Sequence, residues 1–308
     1  VSLSGIQTAI TLTPGGKFEF FQANLYGTTS TIRIYGADGV NRGIEFDGTV
    51  LVPITTGTTN DQPKHVVVHK NHVLWAIRSS LVHSGTGLPY TYTALSGAGE
   101  IAVGDTITGM LIQPGAQTTA ALAVFARNTT YMLYGTGASD WNMTTYNMGF
   151  GAMDYSCQNM NDSYFMDDRG VMNLQTTLAY GNFATAALTQ NIKTFIVDKR
   201  SKTNFSAVNR EKSQYRLFFN DGYALYVTLV NGKLMGAMPI YYGEAMNCVY
   251  NGEWSNGNEV TFSGSTTTGH VYMMEVGSSF DGNNIDAFIN LNWDAAKSPR
   301  TLKRYRKA

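Results

Sequence analysis

Short apolar runs, each closed by a polar or glycine-containing turn, recur through most of this sequence. The repeating unit is an apolar strand, a polar turn, a second apolar strand, a glycine turn and a third strand. It occurs about six times. The first unit passes from residues 18–21 into TSTIRIYGADGVNRGIEF, where Ile32, Ile34 and Ile44 alternate with polar positions around an Asp-Gly turn. The second is HVVVHKNHVLWAIRSSLVHSG from His65, turning at Lys70-Asn71. The third is ALAVFARNTTYMLYGTG from Ala121, with its turn at Asn128. The fourth, CQNMNDSYFMDDRGVMNLQ, turns at Asn161-Asp162 and at Asp168-Arg169-Gly170. The fifth turns at Asn220-Asp221-Gly222 and Asn231-Gly232, and the sixth runs from Cys248 to Gly277.

Unit starts near residues 121, 158, 208 and 248 give the spacing of four-stranded propeller blades. One such sheet cannot bury both of its faces alone, whereas radial repetition packs each sheet on its neighbours. The pattern therefore predicts an all-β protein, a β-propeller of about six blades, with repeats of a β-sandwich or barrel as the competing architecture. One stretch departs from it. In residues 184–202, Leu188, Ile192, Phe195 and Ile196 fall at helical spacing with no Gly or Pro between them, which predicts a short amphipathic helix connecting two blades. Residues 1–285 read as the propeller region and 286–308 as an exit strand toward a further β domain. The chain opens in mid-strand without an initiator Met and reads as a segment of a longer protein.

Composition narrows the function classes. Only 14% of residues are charged, and 22 Lys and Arg balance 22 Asp and Glu, so no global field draws the chain to nucleic acid or an acidic membrane. A surface rich in Tyr, Thr and Asn but poor in charge suits packing against other subunits. No stretch approaches the length of an apolar membrane span. Cys157 and Cys248 are the only cysteines, too few for a disulfide framework and in keeping with assembly in a reducing cytoplasm.

Candidate chemistry is sparse. His65 and His69 share a strand face, so a metal site with His83 is geometrically conceivable, but no HExxH, paired CxxC or adjacent carboxylate completes a ligand set. Asp167, Asp168 and Arg169 form the one conspicuous acid-base cluster, and carboxylate pairs serve glycoside hydrolysis. Their MDDRGV context reads instead as a hairpin turn in which the Asp side chain bonds its own backbone. No nucleophile elbow, phosphate loop or complete Asp-box is present; Ser139-Asp140-Trp141 is a fragment of the last. The chain reads as a non-enzyme without a cofactor. Lys297, Arg300, Lys303, Arg304, Arg306 and Lys307 concentrate base near the end. They read as an alternating edge strand or a subunit contact, with transient, non-specific contact to DNA phosphates as the alternative.

From about residue 121 to 306 an ordered series of segments resembles the propeller proteins of phage tails, the nozzle or stabilisation proteins of short-tailed phages. AVFARNTTYMLYGTGASDWNMTTYN is followed by MGFGAMDYSCQNMNDSYFMDDRGVMNL, then the 184–202 connector, SQYRLFFNDGYALYV and the SFDGNNIDAFINLNWDAAKSPRTLKRYR exit. The resemblance implies a virion component assembled in the host cytoplasm. Its copies would form a ring, a hexamer, that continues the tail below portal and adaptor and retains and conducts the genome. Loops at 135–145 and 181–187 would meet neighbours, fibres or spikes, and no catalytic residue carries over. Tyr, Trp and Asn richness supplies an alternative, a glycan-binding receptor-recognition propeller in which Trp141 and Trp254 are the stacking candidates.

Overall fold

Residues 10–28, 31–113, 121–174 and 188–289 are described by a computed structural model. It is a six-bladed β-propeller with one short α-helix. Blade 1 holds β1 (Glu19–Ala23), β2 (Arg33–Ala37), β3 (Ile44–Phe46) and β4 (Leu51–Pro53). Blade 2 holds β5 (His65–His69), β6 (His72–Ile77), β7 (Ser80–His83) and β8 (Gly99–Ala102). Blade 3 is β9 (Ile107–Ile112), β10 (Leu122–Ala126), β11 (Thr130–Tyr134) and β12 (Asn142–Asn147). Blade 4 is β13 (Gln158–Asn159), β14 (Ser163–Asp167) and β15 (Gly170–Asn173). Blade 5 is β16 (Thr203–Asn209), β17 (Gln214–Phe219), β18 (Tyr223–Val230) and β19 (Lys233–Tyr241). Blade 6 is β20 (Met246–Glu253), β21 (Glu259–Ser265) and β22 (Val271–Met273). Within every blade the strands lie in sequence order and pair antiparallel, as up-and-down hairpins require.

Two hairpins show how local sequence sets the register. Lys70-Asn71 both take positive φ, 50° and 61°, and Asn231-Gly232 do the same at 50° and 72°. Each pair makes a two-residue turn whose twist matches the flanking strands. The third sequence unit is corrected at its start. Its innermost strand is β9, ahead of Ala121, so the unit read from Ala121 begins on the blade's second strand.

Five apolar clusters fill five of the seams between successive blades. Val66 packs toward blade 1 with Tyr35 and Trp75, while its neighbour Val67 packs toward blade 3 with Leu74 and Val124. Phe125 meets Phe165 across the seam of blades 3 and 4, ring centroids 4.8 Å apart. Leu217 and Phe219 face blade 4, and Phe218 between them faces blade 6. Because adjacent residues serve opposite seams, Val66–Val68, Leu122–Ala126 and Leu217–Phe219 are continuous apolar runs rather than half-buried alternations. The connector helix α1 (Lys193–Lys199), shorter than the expected 184–202 and flanked by single 3-10 turns, seals blades 4 and 5: Phe195 and Ile196 join that cluster from the helix, Ile192 from the preceding 3-10 turn and Leu188 from the turn before it. Residues 184–187 of the expected connector lie outside the described residues.

The propeller is one compact unit through Met274, and Glu275–Ala308 is a second. The sequence boundary at 285 thus falls inside the second unit. Its described part carries an isolated bridge between Phe280 and Asn283 and no strand. Arg300, Lys303, Arg304, Arg306 and Lys307 lie outside the described residues, as does the 181–187 loop.

Candidate functional site at the hub

The innermost strands of all six blades reach one cavity of about 720 Å³. Lys17, Glu19 and Phe20 come from blade 1, His65 from β5, Gly109 from β9, Gln158 from β13, Ser206 from β16 and Tyr250 from β20. Every blade thus contributes its first strand, since radial stacking points those strands at the axis.

A polar network crosses this hub. The fully buried His65 ring places Nδ1 2.5 Å from Glu19 Oε2, and its Nε2 stands 3.6 Å from Asp154 Oδ1, an ion-pair distance too long for a hydrogen bond. Lys64 Nζ reaches the same Asp154 oxygen at 2.8 Å. Burial opposes charge on His65, and the two carboxylates overcome it and raise its pKa above the ordinary imidazole value. Burial likewise opposes charge on Asp154, and His65 and Lys64 outweigh it and hold the carboxyl below its usual range.

Lys17 anchors a second branch. Its ammonium donates to the Asn204 carbonyl at 2.5 Å and to Asn204 Oδ1 at 2.7 Å, and lies over the Tyr155 and Phe205 rings. Burial lowers its pKa to about 8, against the opposing pull of Cys248 and Asp154. Asn204 in turn donates from Nδ2 to the Met246 carbonyl, so one amide ties blade 5 to both ends of the ring. Tyr155, held at a left-handed φ of 57°, donates its hydroxyl to the Lys17 carbonyl.

The histidines singled out for metal do not converge. His65 serves the hub, whereas His69 pairs across the hairpin with His72, and His83 packs against His72 and Trp141 with centroids at 5.6 and 4.6 Å. Among the described residues no His, Cys, Asp and Glu group is arranged to hold a metal ion. Trp141, a stacking candidate, has its ring against both histidines and its indole nitrogen buried; Trp254 is half-exposed.

The DRG turn also differs in detail from expectation. It is the β14–β15 hairpin, but Asp168 accepts from Arg127 of blade 3 at 2.6 Å rather than capping its own backbone. Asp167 accepts from Arg169 Nε at 2.7 Å. The turn faces a neighbouring blade that carries an arginine, and a charge-assisted bond outcompetes a local one. Cys157 is packed inside, where burial raises its thiol pKa, and Cys248 is exposed; both are free. No helix among the described residues is long and apolar enough to cross a membrane.

No protein-family description matches this chain, and no curated protein sequence does. By fold it is similar to solved β-propellers. The BBS1N chain crystallised in complex with ARL6DN shares 11% identity at a TM-score of 0.54, over 85% of this chain and 79% of that one. The β-propeller domain of Cps50 (Swd1) from Myceliophteria thermophila shares 7% at 0.52, over 87% and 85%. The extracellular domain of a one-component system from B. thetaiotaomicron shares 11% at 0.52, over 84% of this chain and 34% of that one. At such identities the likeness carries the fold alone.

Proposed function

We propose that this chain is a structural, non-enzymatic component of a short-tailed phage tail, a nozzle subunit that forms a ring with its own copies below portal and adaptor. The observation that carries the reading is the outer strand of blade 5. On β19, Met235, Met238 and Tyr241 are 68%, 54% and 54% exposed, and the strand's far edge has no pairing partner among the described residues. An exposed apolar edge of this length invites pairing in a monomer and is expected where a subunit contact covers it.

The resemblance in sequence supports the same reading. Its segments fall on framework strands: AVFARNTTYMLY on β10 and β11, FMDDRGVMN on β14 and β15, and QYRLFFNDGYALYV on β17 and β18. These are packing residues, and Asp167 and Asp168 are engaged by Arg169 and Arg127. The described hub residues include Glu19, Glu211, Glu253 and Glu259 against Lys17 and Arg210, so base for any passing DNA would come from the 300–307 segment.

Native mass spectrometry of the full-length protein, with electron microscopy of particles, tests the assignment. A ring of this chain that Met235→Glu with Met238→Glu dissolves is the expected result. A chain that stays monomeric at all concentrations and is absent from tails sinks it.

A further inference from the structure

Five seams of the ring hold apolar clusters; among the described residues none joins blade 6 to blade 1. On β1, Phe21 packs toward blade 2, so by strand period Phe20 points to the opposite side, toward blade 6. On β20, Val249 packs toward blade 5, so Tyr250 points toward blade 1. Both rings line the hub cavity, and they are 59% and 68% exposed.

Their posture is unusual for a seam. Phe20 lies across its register partner Gly36, where an added Cβ would stand 2.9 Å from the ring. Tyr250 lies along its own strand over Gly252, where a Cβ would stand 2.5 Å from the ring. In each case only glycine lets the ring lie down on the sheet; Phe18 stacks parallel to Phe20, ring centroids 5.3 Å apart, so the blade 1 wall presents that aromatic pair and the blade 6 wall the Tyr250 ring. In the filled seams, by contrast, rings pack against apolar groups of the facing blade, as Phe125 and Phe165 do.

We propose that the cleft between blades 6 and 1 binds neutral oligosaccharides, with Phe20 and Tyr250 as stacking platforms and the exposed Glu253 and Asn258 as hydroxyl partners. The hub cavity that both rings line lies in the about 300–1,000 Å³ range of ligand sites, where apolar walls and a few polar groups fix a ligand. The pyranose C–H face suits the electron-rich face of an aromatic ring. Charge selects against the other classes. Anions meet Glu253 and Glu259, while Lys17 is already held by Asn204, and the Tyr155 and Phe205 faces that a cation would seek are taken by the Lys17 ammonium. The site stands on the cleft alone and is independent of the tail assignment.

Titration calorimetry of the full chain against neutral tetrasaccharides of glucose, galactose, mannose and N-acetylglucosamine, beside sialylated and sulfated glycans, tests it. At least one neutral saccharide is expected to bind, Phe20→Leu and Tyr250→Leu each to weaken it about tenfold, and Tyr250→Phe to retain it. Trp254→Leu, at a residue outside the cavity lining, leaves binding unchanged. Leucine keeps apolar area, so folding is spared; should a variant unfold, the ring resonances of Phe20 and Tyr250 in the unaltered protein must shift on titration. Absence of neutral binding across the panel, binding of anionic glycans only, neutral binding indifferent to both leucine variants, or static ring resonances each overturns the proposal.

Discussion

His65 and His69 stand four residues apart on one strand and titrate in opposite directions. Burial, with Lys70 and His72 adding to it, lowers the His69 pKa to about 4. The unfolded chain therefore takes up a proton near the ordinary imidazole value that the folded chain refuses, and stability falls as pH drops from about 6.5 toward 4, by about 3 kcal/mol in all. His65 behaves in reverse: its raised folded pKa adds stability that is complete below about 6.5 and is lost as pH rises through the folded value. Urea midpoints measured across pH should show His69→Gln flattening the acid limb and His65→Gln flattening the limb at higher pH; an unchanged acid limb in His69→Gln would refute the first assignment. None of this was legible in the sequence. Period two places both side chains on one face, but Glu19 and Asp154 come from positions 46 and 89 residues away from His65, and only the packing of blades around the axis brings them in.

At the scale of elements, turns and connector were readable because their chemistry is local. Lys70-Asn71 and Asn231-Gly232 fix their hairpins, and Phe195 and Ile196 place α1 against blades 4 and 5, with Leu188 and Ile192 of the expected helix in the turns that lead into it. Strand β9 was not readable. Its ITGMLI run carries Thr108 and Gly109 where a buried strand usually carries apolar side chains, and the reasons lie in other blades. Thr108 donates to the Ala152 carbonyl at 2.8 Å, and an added Cβ at Gly109 would stand 2.6 Å from Cys157 Sγ. The close approach of blades 3 and 4 is thus set by a missing methyl group. Gly109→Ala is expected to cost about 1–3 kcal/mol by overpacking, and the added Cys157→Ala to restore part of that loss, giving a coupling of the two sites in a double-mutant cycle. Simple additivity in thermal or chemical unfolding would show that the two atoms do not compete for space.

For the whole molecule, six-fold repetition was visible from sequence, while the inequality of the seams was not, because it depends on which side of each sheet a residue takes. Phe20 and Tyr250 read as ordinary strand residues until the ring leaves them facing a cleft. A propeller approximates a one-dimensional array whose stability sums blade and seam contributions. With apolar clusters at five seams among the described residues, blades 1 and 6 are supported from one side, and blades 2 to 5 from both. Hydrogen exchange should therefore grade along the ring: amides of β2 and β21 open more readily than those of β10, β14 and β17, whose neighbours bury both faces. Asn204 sharpens the expectation, since its single side chain accepts from Lys17 and donates to Met246, and so ties blade 1 to blades 5 and 6 where no apolar cluster among the described residues reaches blade 1 from that side. Asn204→Ala leaves Lys17 short of an acceptor and Met246 short of a donor, so it should accelerate exchange in blades 1 and 6 together and leave blades 3 and 4 at their wild-type protection. Acceleration confined to blade 5, where the residue sits, would mean that the two ends of the ring are held by contacts other than this amide.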